Sequence, residues 1–412
     1  MSTDATYVIV GASLGGAKAA EALRATGYDG RVVLLGTESE LPYERPPLSK
    51  GYLQGKAERE TIYVHPRQWY VEADIDLRLG VTATGIDRAA HEIVLADGSR
   101  TGYTKLLLTT GSSPRRLQIP GADLDGVLYL RSASDSDRIK SVIAEAGRIA
   151  VIGAGWIGLE VTAAAREAGV AVTVIEAAEL PLLRVLGTEV ATVFAALHAE
   201  HGVDLRFGAQ ITEITGRDGH ADGVSLSDGS HVPADAVIVG IGITPNIELA
   251  AAAGLDVSNG IKVDAQLRSS DPDIYAAGDV ASAFHPLLGK HIRVEHWANA
   301  LNQPQTAAQA MAGQRVSFDR VPYFFSDQYD LGMEYSGYVE PEGYDEVVFR
   351  GDVDRREFVA FWLDNHSRVL AGMNVNIWDV NEPIQALVRA GQPVDKAALA
   401  DADAALESLI AG

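Results

Sequence analysis

The stretch Arg148-Ile-Ala-Val-Ile-Gly-Ala-Gly-Trp-Ile-Gly-Leu-Glu160 decides the fold. Ile149–Ile152 is a short unbroken apolar run, the pattern of a strand buried on both faces of a parallel sheet. Gly153-x-Gly155-x-x-Gly158 follows, and residues 159–168 carry apolar positions at helical spacing up to Gly169. A second apolar run, Val172–Ile175, ends at Glu176. Strand, glycine turn, helix, strand and terminal carboxylate together form a dinucleotide fingerprint. Gly153 makes the tight turn, Gly155 lets backbone approach a pyrophosphate, and Gly158 lets helix and strand pack closely. A carboxylate at Glu176 accepts both ribose hydroxyls and repels a 2′-phosphate, which favours NADH over NADPH.

The same plan occurs at the start of the chain. Tyr7–Val10 reads as a strand, Gly11-Ala-Ser-Leu-Gly-Gly16 as the turn, residues 17–25 as a helix and Arg31–Leu35 as the next strand. Ser13 stands in the middle position of the Gly11-x-Ser13-x-x-Gly16 turn, beside Gly15. Its Cβ crowds a pyrophosphate, while its hydroxyl is able to donate to one. A further echo supports duplication. Asp97-Gly98 precedes the apolar run that ends near Gly111, and Asp228-Gly229 precedes the run that ends at Gly242, at the same spacing. Each reads as a hairpin turn, a strand and a buried strand stopping at a glycine. Two fingerprints in one chain point to a flavin dinucleotide plus a diffusible nicotinamide.

The expected fold class is therefore α/β, with two Rossmann-like dinucleotide-binding domains. A C-terminal α+β domain follows, with an antiparallel meander at 346–349, 357–362 and 368–371 and helices at 382–389 and 396–409. At roughly 150 residues per domain, 412 residues allow two or three domains.

Composition narrows the chemistry. The chain has no cysteine, so it has no disulfide framework, thiolate nucleophile or redox-active Cys pair. A net charge of −22 argues against nucleic acid and anionic membranes as partners. No apolar run is long enough for a membrane span, the first residues lack the basic start of an export signal, and a cytoplasmic location is the expectation. The histidines, among them His65, His201, His285, His291 and His296, show no ligand spacing, and no metal is expected.

Pro42-Tyr-Glu-Arg-Pro-Pro-Leu-Ser-Lys50 follows the second strand. Its prolines exclude a helix interior or central strand and suggest an extended arm ending at Lys50. By residue type alone Lys50 reads equally as a surface lysine, Arg45 as a solvated arginine and Glu160 as a first-turn glutamate favoured by the helix dipole.

This arm, both fingerprints, Tyr275-Ala-Ala-Gly-Asp279, Val294-Glu-His-Trp-Ala-Asn-Ala300 and Phe325-Ser-Asp-Gln-Tyr329 together resemble the FAD-dependent ferredoxin reductases that serve cytochrome P450 and Rieske oxygenase systems. The resemblance implies an FAD domain at 1–113 and 245–320, an NADH domain at 114–244 and a C-terminal interface domain at 321–412. It implies that Lys50 and Glu160 pair near the site of hydride transfer. Asp279, Trp297, Arg131, Ala83 and Arg45 match FAD contacts, and Glu176, Arg184 and Gly242 match NADH contacts. Where the family has an acidic residue for the adenosine ribose this chain has Thr37, and Glu38 stands next to it. The implied partner is a 2Fe–2S ferredoxin. Rubredoxin, a quinone or monodehydroascorbate are alternative acceptors, and a sensor like the apoptosis-inducing-factor proteins is the alternative from another class. Glutathione, lipoamide and thioredoxin reductases share the two-fingerprint fold but need a Cys pair, so here electrons leave the flavin directly. An acidic ferredoxin meeting a chain of −22 requires a local basic patch, with Lys290-His-Ile-Arg293 and the C-terminal domain as candidates.

Overall fold

In the computed structural model, which describes residues 5–341 and 343–410, the strand Thr6–Val10 has parallel neighbours on both sides, Arg31–Gly36 and Lys105–Leu108. That is why its apolar run is unbroken: Val8 and Ile9 are wholly buried. The full sheet runs Ile274–Ala276, Lys105–Leu108, Thr6–Val10, Arg31–Gly36, Ile75–Leu79. A second sheet repeats the layout as Val127–Tyr129, Ala236–Val239, Arg148–Ile152, Ala171–Ile175, Asp204–Arg206. Each fingerprint strand is central, between the strand that follows its helix and the strand that follows its hairpin. The first edge strand differs in origin. Ile274–Ala276 comes late in the chain, whereas Val127–Tyr129 precedes its own fingerprint.

The Asp-Gly hairpins form as expected. Asp97 Oδ1 accepts from the Ser99 amide at 2.9 Å and hydroxyl at 2.6 Å, and Asp228 repeats both bonds with Ser230 at the same distances. Gly98 and Gly229 follow with φ of 82° and 84°.

The chain divides into two units. One holds the residues up to Arg45, Arg59–Ser113 and Thr244–Pro322, and the other holds Pro46–Glu58, Pro114–Ile243 and the chain from Tyr323 onward. Among the described residues no helix is long and apolar enough to cross a membrane.

Three local expectations need correction. Pro46–Ser49 is a turn of 3-10 helix, not extended chain. Proline is tolerated there because first-turn amides have no intrahelical partner. The C-terminal sheet has five strands, in the order Tyr323–Gln328, Leu331–Gly337, Val369–Val375, Glu357–Leu363, Glu346–Asp352. Tyr323–Gln328 escapes the sequence pattern because its inward positions are Phe324, Ser326 and Gln328, two of them polar. The helix expected at 396–409 is only Lys396–Ala400, ending where Asp401 turns its carboxylate onto the Asp403 amide and competes with the helix. The helix Leu406–Leu409 beyond it is a 3-10 turn.

Candidate functional site

The two glycine turns are built alike. Gly11 and Gly153 have φ of 119° and 96°, open to glycine and costly for other residues. A Cβ on Gly16 would lie 2.0 Å from the Gly11 carbonyl oxygen, and one on Gly158 would lie 2.2 Å from that of Gly153. These glycines are demanded by helix–strand packing. Gly155 is different, because a Cβ there meets nothing nearer than the Gly240 oxygen at 4.0 Å. The space above Gly155 is therefore free for a ligand.

Both fingerprint helices also begin without a cap. Ser13 starts Leu14–Ala25 and makes no side-chain capping bond, and Gly155 starts Trp156–Glu167 with no side chain to give. By contrast Ser132 closes a full capping box with Asp135 on Ala133–Glu145. Uncapped amide ends with the positive end of a helix dipole suit a pyrophosphate, and both turns fit one. Glu176 sits over the second turn. One carboxylate oxygen accepts from the Ala154 amide at 2.7 Å and the other from the Ala178 amide at 2.9 Å. Gly242 accepts from the Arg115 amide at 2.9 Å, and Arg184 is exposed in the first turn of Leu183–Glu200.

In the first unit, Glu38 is engaged by Tyr43, whose hydroxyl donates to it at 2.5 Å, and by Arg45 at 3.5 Å. Thr37 accepts from the Thr82 hydroxyl at 3.3 Å, so the edge near Ala83 lies beside the end of Arg31–Gly36. Asp279 accepts from the Ser112 hydroxyl at 2.8 Å. The Trp297 indole donates to Glu44 at 3.2 Å from the start of Trp297–Met311. That helix packs on the first fingerprint helix: a Cβ on Gly15 would come 3.5 Å from Pro304. Arg131 belongs to the second unit, where its amide donates to Asp135. The candidate basic patch loses a member, since Arg293 is 9% exposed and paired with Glu295 at 2.5 Å.

The second unit holds a buried ion pair. Lys50 Nζ lies 2.6 Å from Glu160 Oε1, with the glutamate 3% and the lysine 17% exposed at the side chain. Ser49 Oγ donates to Glu160 Oε2 at 2.5 Å, and Ser326 Oγ donates to Oε1 at 2.7 Å. Three donors thus converge on one buried carboxylate, the condition under which such a charge is tolerated in a core. The ammonium also stands 5.4 Å from the centre of the Phe325 ring. Burial pushes the Asp327 carboxyl up, opposed by Lys50 and reinforced by Glu160.

Residues 5–310 match the pyridine nucleotide-disulphide oxidoreductase model and residues 323–410 the reductase C-terminal model. The chain belongs to the pyridine nucleotide-disulphide oxidoreductase family. Among similar proteins, rhodocoxin reductase of Rhodococcus erythropolis is 39% identical over 98% of this chain and 94% of that one. The ferredoxin–NAD(+) reductase component of the anthranilate 1,2-dioxygenase system of Burkholderia cepacia is 40% identical over the full length of both. The reductase in the covalent putidaredoxin reductase–putidaredoxin complex superposes with a TM-score of 0.94 at 36% identity, covering 98% of each chain.

This oxidoreductase departs from its family's name in having no cysteine at all. Its site also contains residues that the sequence reading gave no role. Ser49 precedes Lys50 in the proline arm, and Ser326 lies in the Phe325–Tyr329 motif. The only signal for either was membership of a quoted motif. Gln328, in the same motif, is buried and joined at 2.9 Å to His198, which is wholly buried and carried no signal beyond being polar within an apolar run.

Proposed function

We propose that this chain is an NADH-dependent flavoprotein reductase that passes electrons through FAD to a 2Fe–2S ferredoxin, which in turn supplies a cytochrome P450 or Rieske oxygenase. FAD, when bound, takes electrons in pairs from a nicotinamide and releases them singly, a conversion neither nicotinamide nor a one-electron cluster performs alone. One observation carries the reading: the family fold is present with two dinucleotide turns and no cysteine anywhere in the chain. Reduction of a disulfide through protein thiols is impossible in such a chain.

The residues divide the work as follows. The uncapped helix starting at Ser13 holds the FAD pyrophosphate, with the Ser13 hydroxyl a donor in place of the usual close backbone approach. Gly11, Gly15 and Gly16 shape that turn. Thr37 and Glu38 stand at the adenosine ribose, and Glu38 is held there by Tyr43 and Arg45. Ala83, Arg131, Asp279 and Trp297 complete the FAD contacts. Gly153, Gly155 and Gly158 hold the NADH pyrophosphate, Glu176 accepts from the ribose hydroxyls, and Arg184 and Gly242 flank the nucleotide. Lys50 supplies positive charge at the hydride-transfer centre, and Glu160 keeps that charge fixed in place. FAD binding is assigned to 1–113 and 245–320, NADH binding to 114–244, and the partner surface in part to 321–412. The absence of cysteine suits a reducing, cytoplasmic setting.

The test uses the purified chain loaded with FAD. Under anaerobic conditions NADH is expected to bleach the flavin absorbance, and the reduced protein to reduce a 2Fe–2S ferredoxin with multiple turnovers. A panel with rubredoxin, a quinone, monodehydroascorbate and ferricyanide decides the acceptor. Failure to reduce any ferredoxin while reducing another member reassigns the partner. Slow turnover with every acceptor, together with an NADH-dependent change in sedimentation, defeats the enzyme reading in favour of a sensor.

A further inference from the structure

The Phe325–Tyr329 segment has a use that the ion pair alone does not explain. Ser326 and Gln328 point inward from the same face of Tyr323–Gln328, and both are 1% exposed. Ser326 Oγ lies 2.7 Å from Glu160 Oε1 and 3.2 Å from Gln328 Nε2. Gln328 Oε1 lies 2.9 Å from Nε2 of His198, which has no exposed surface. His198 Nδ1 lies 3.3 Å from the Tyr329 hydroxyl, and the Tyr329 ring stacks on His201 at 3.6 Å. Tyr329 reaches this position with φ of 56° at the hairpin tip, a conformation that large side chains avoid unless their surroundings enforce it.

The protons in this chain are fixed by its end. A carboxylate only accepts, so the single Ser326 proton goes to Glu160. Gln328 must then donate to Ser326, which places its NH2 there and its carbonyl toward His198. His198 must donate from Nε2, leaving Nδ1 bare to accept from Tyr329. Every donor points toward Glu160. Burial supports a neutral ring, pushing His198 down to about 4.

We infer that Gln328 and His198 are positioning residues that lock the Ser326 hydroxyl onto Glu160, and through it hold the carboxylate against Lys50. The inference rests on the reading of Lys50 and Glu160 as the hydride-transfer pair. It assigns a purpose to the polar face of Tyr323–Gln328: the strand gives up apolar burial to present a one-way row of donors. A glutamine flipped about its amide would claim the serine proton for itself and release the carboxylate.

Two measurements on the FAD-loaded full chain test it. The first is long-range nitrogen–proton NMR of histidine-labelled protein, with the His198 signals assigned by their loss in H198Q. The expected pattern is a protonated Nε2 and an unprotonated Nδ1, held from pH 8 down to 6. A protonated Nδ1 or an imidazolium overturns the inference. The second is the rate constant of flavin reduction by NADH in S326A, Q328L, Q328E and the S326A/Q328L double variant. Each single change is expected to slow reduction roughly ten-fold, the size of one hydrogen bond to a charged group, with the NADH dissociation constant unchanged. Q328E keeps the shape and the His198 contact but takes the serine proton, so it should be as slow as Q328L. The double variant should be no slower than S326A, because Gln328 acts through the serine. Additive losses, or a Q328E rate equal to wild type, overturn the inference. E160Q separates the two readings. If E160Q reduces at the wild-type rate, the hydride-transfer assignment fails; if it is slow while S326A and Q328L are fast, the positioning role fails.

Discussion

Replacing Gly155 with alanine should abolish tight NADH binding without disturbing the fold, and the structure says why. Gly155 has φ −81° and ψ 179°, a conformation open to alanine. Its new Cβ would meet no protein atom nearer than 4.0 Å. Two small effects on stability oppose each other. Reduced freedom of the unfolded chain stabilises by about 0.4–1 kcal/mol. Loss of a favourable N-cap residue costs about 0.5–1 kcal/mol. The net is close to zero, and the thermal midpoint should move by no more than a degree or two. The methyl group does occupy the path by which a pyrophosphate reaches the helix amides. Losing that approach should weaken NADH at least ten-fold, or about 1.4 kcal/mol. G158A is the contrast. Its Cβ would lie 2.2 Å from the Gly153 oxygen, so the helix must shift by roughly 1 Å, at an overpacking cost of about 1–3 kcal/mol. The assay is NADH titration by calorimetry, paired with thermal unfolding and flavin content. If G155A binds NADH as tightly as wild type, the second turn is not the pyrophosphate cradle and the division of nucleotides between the two turns is wrong.

Further outcomes follow from the same geometry. Glu176→Arg should raise the ratio of kcat/KM for NADPH over NADH by at least ten-fold; an unchanged ratio would show that Glu176 does not read the ribose. Glu160→Leu strands the Lys50 ammonium in a nearly closed site and should cost about 3–5 kcal/mol in denaturant unfolding. Glu160→Gln keeps an acceptor for Lys50 and should cost about half as much. His198 is held neutral, with its value pushed to about 4 by burial, while the unfolded chain binds that proton near 6.5. Between those values the unfolded state carries more protons, so stability is present above pH 6.5 and is lost as pH falls toward 4, by about 3 kcal/mol in all. In His198→Phe this part of the pH dependence of unfolding should disappear, and a profile parallel to wild type would contradict it.

The sequence alone was enough for the duplicated dinucleotide plan and its short-range turns, though not for every local element. The two glycine turns, their strands and the Asp-Gly hairpins were legible because each depends on residues a few positions apart, and because the plan occurs twice. The absence of cysteine excluded thiol chemistry without any coordinates. Membership of the motifs brought Lys50 and Glu160 under suspicion, although nothing in their own neighbourhoods distinguished them from surface charges. The resemblance implied that they pair, and the tertiary structure brings them to 2.6 Å on segments far separated in the chain. The roles of Ser326, Gln328 and His198 were hidden by the same kind of separation. A buried strand is recognised by its apolar alternation, and this one substitutes serine and glutamine at two inward positions. Such a face looks solvated until the carboxylate it serves is seen on the other side. Burying a charge is costly wherever it occurs, and the donors that offset that cost are gathered from wherever the fold brings them within reach.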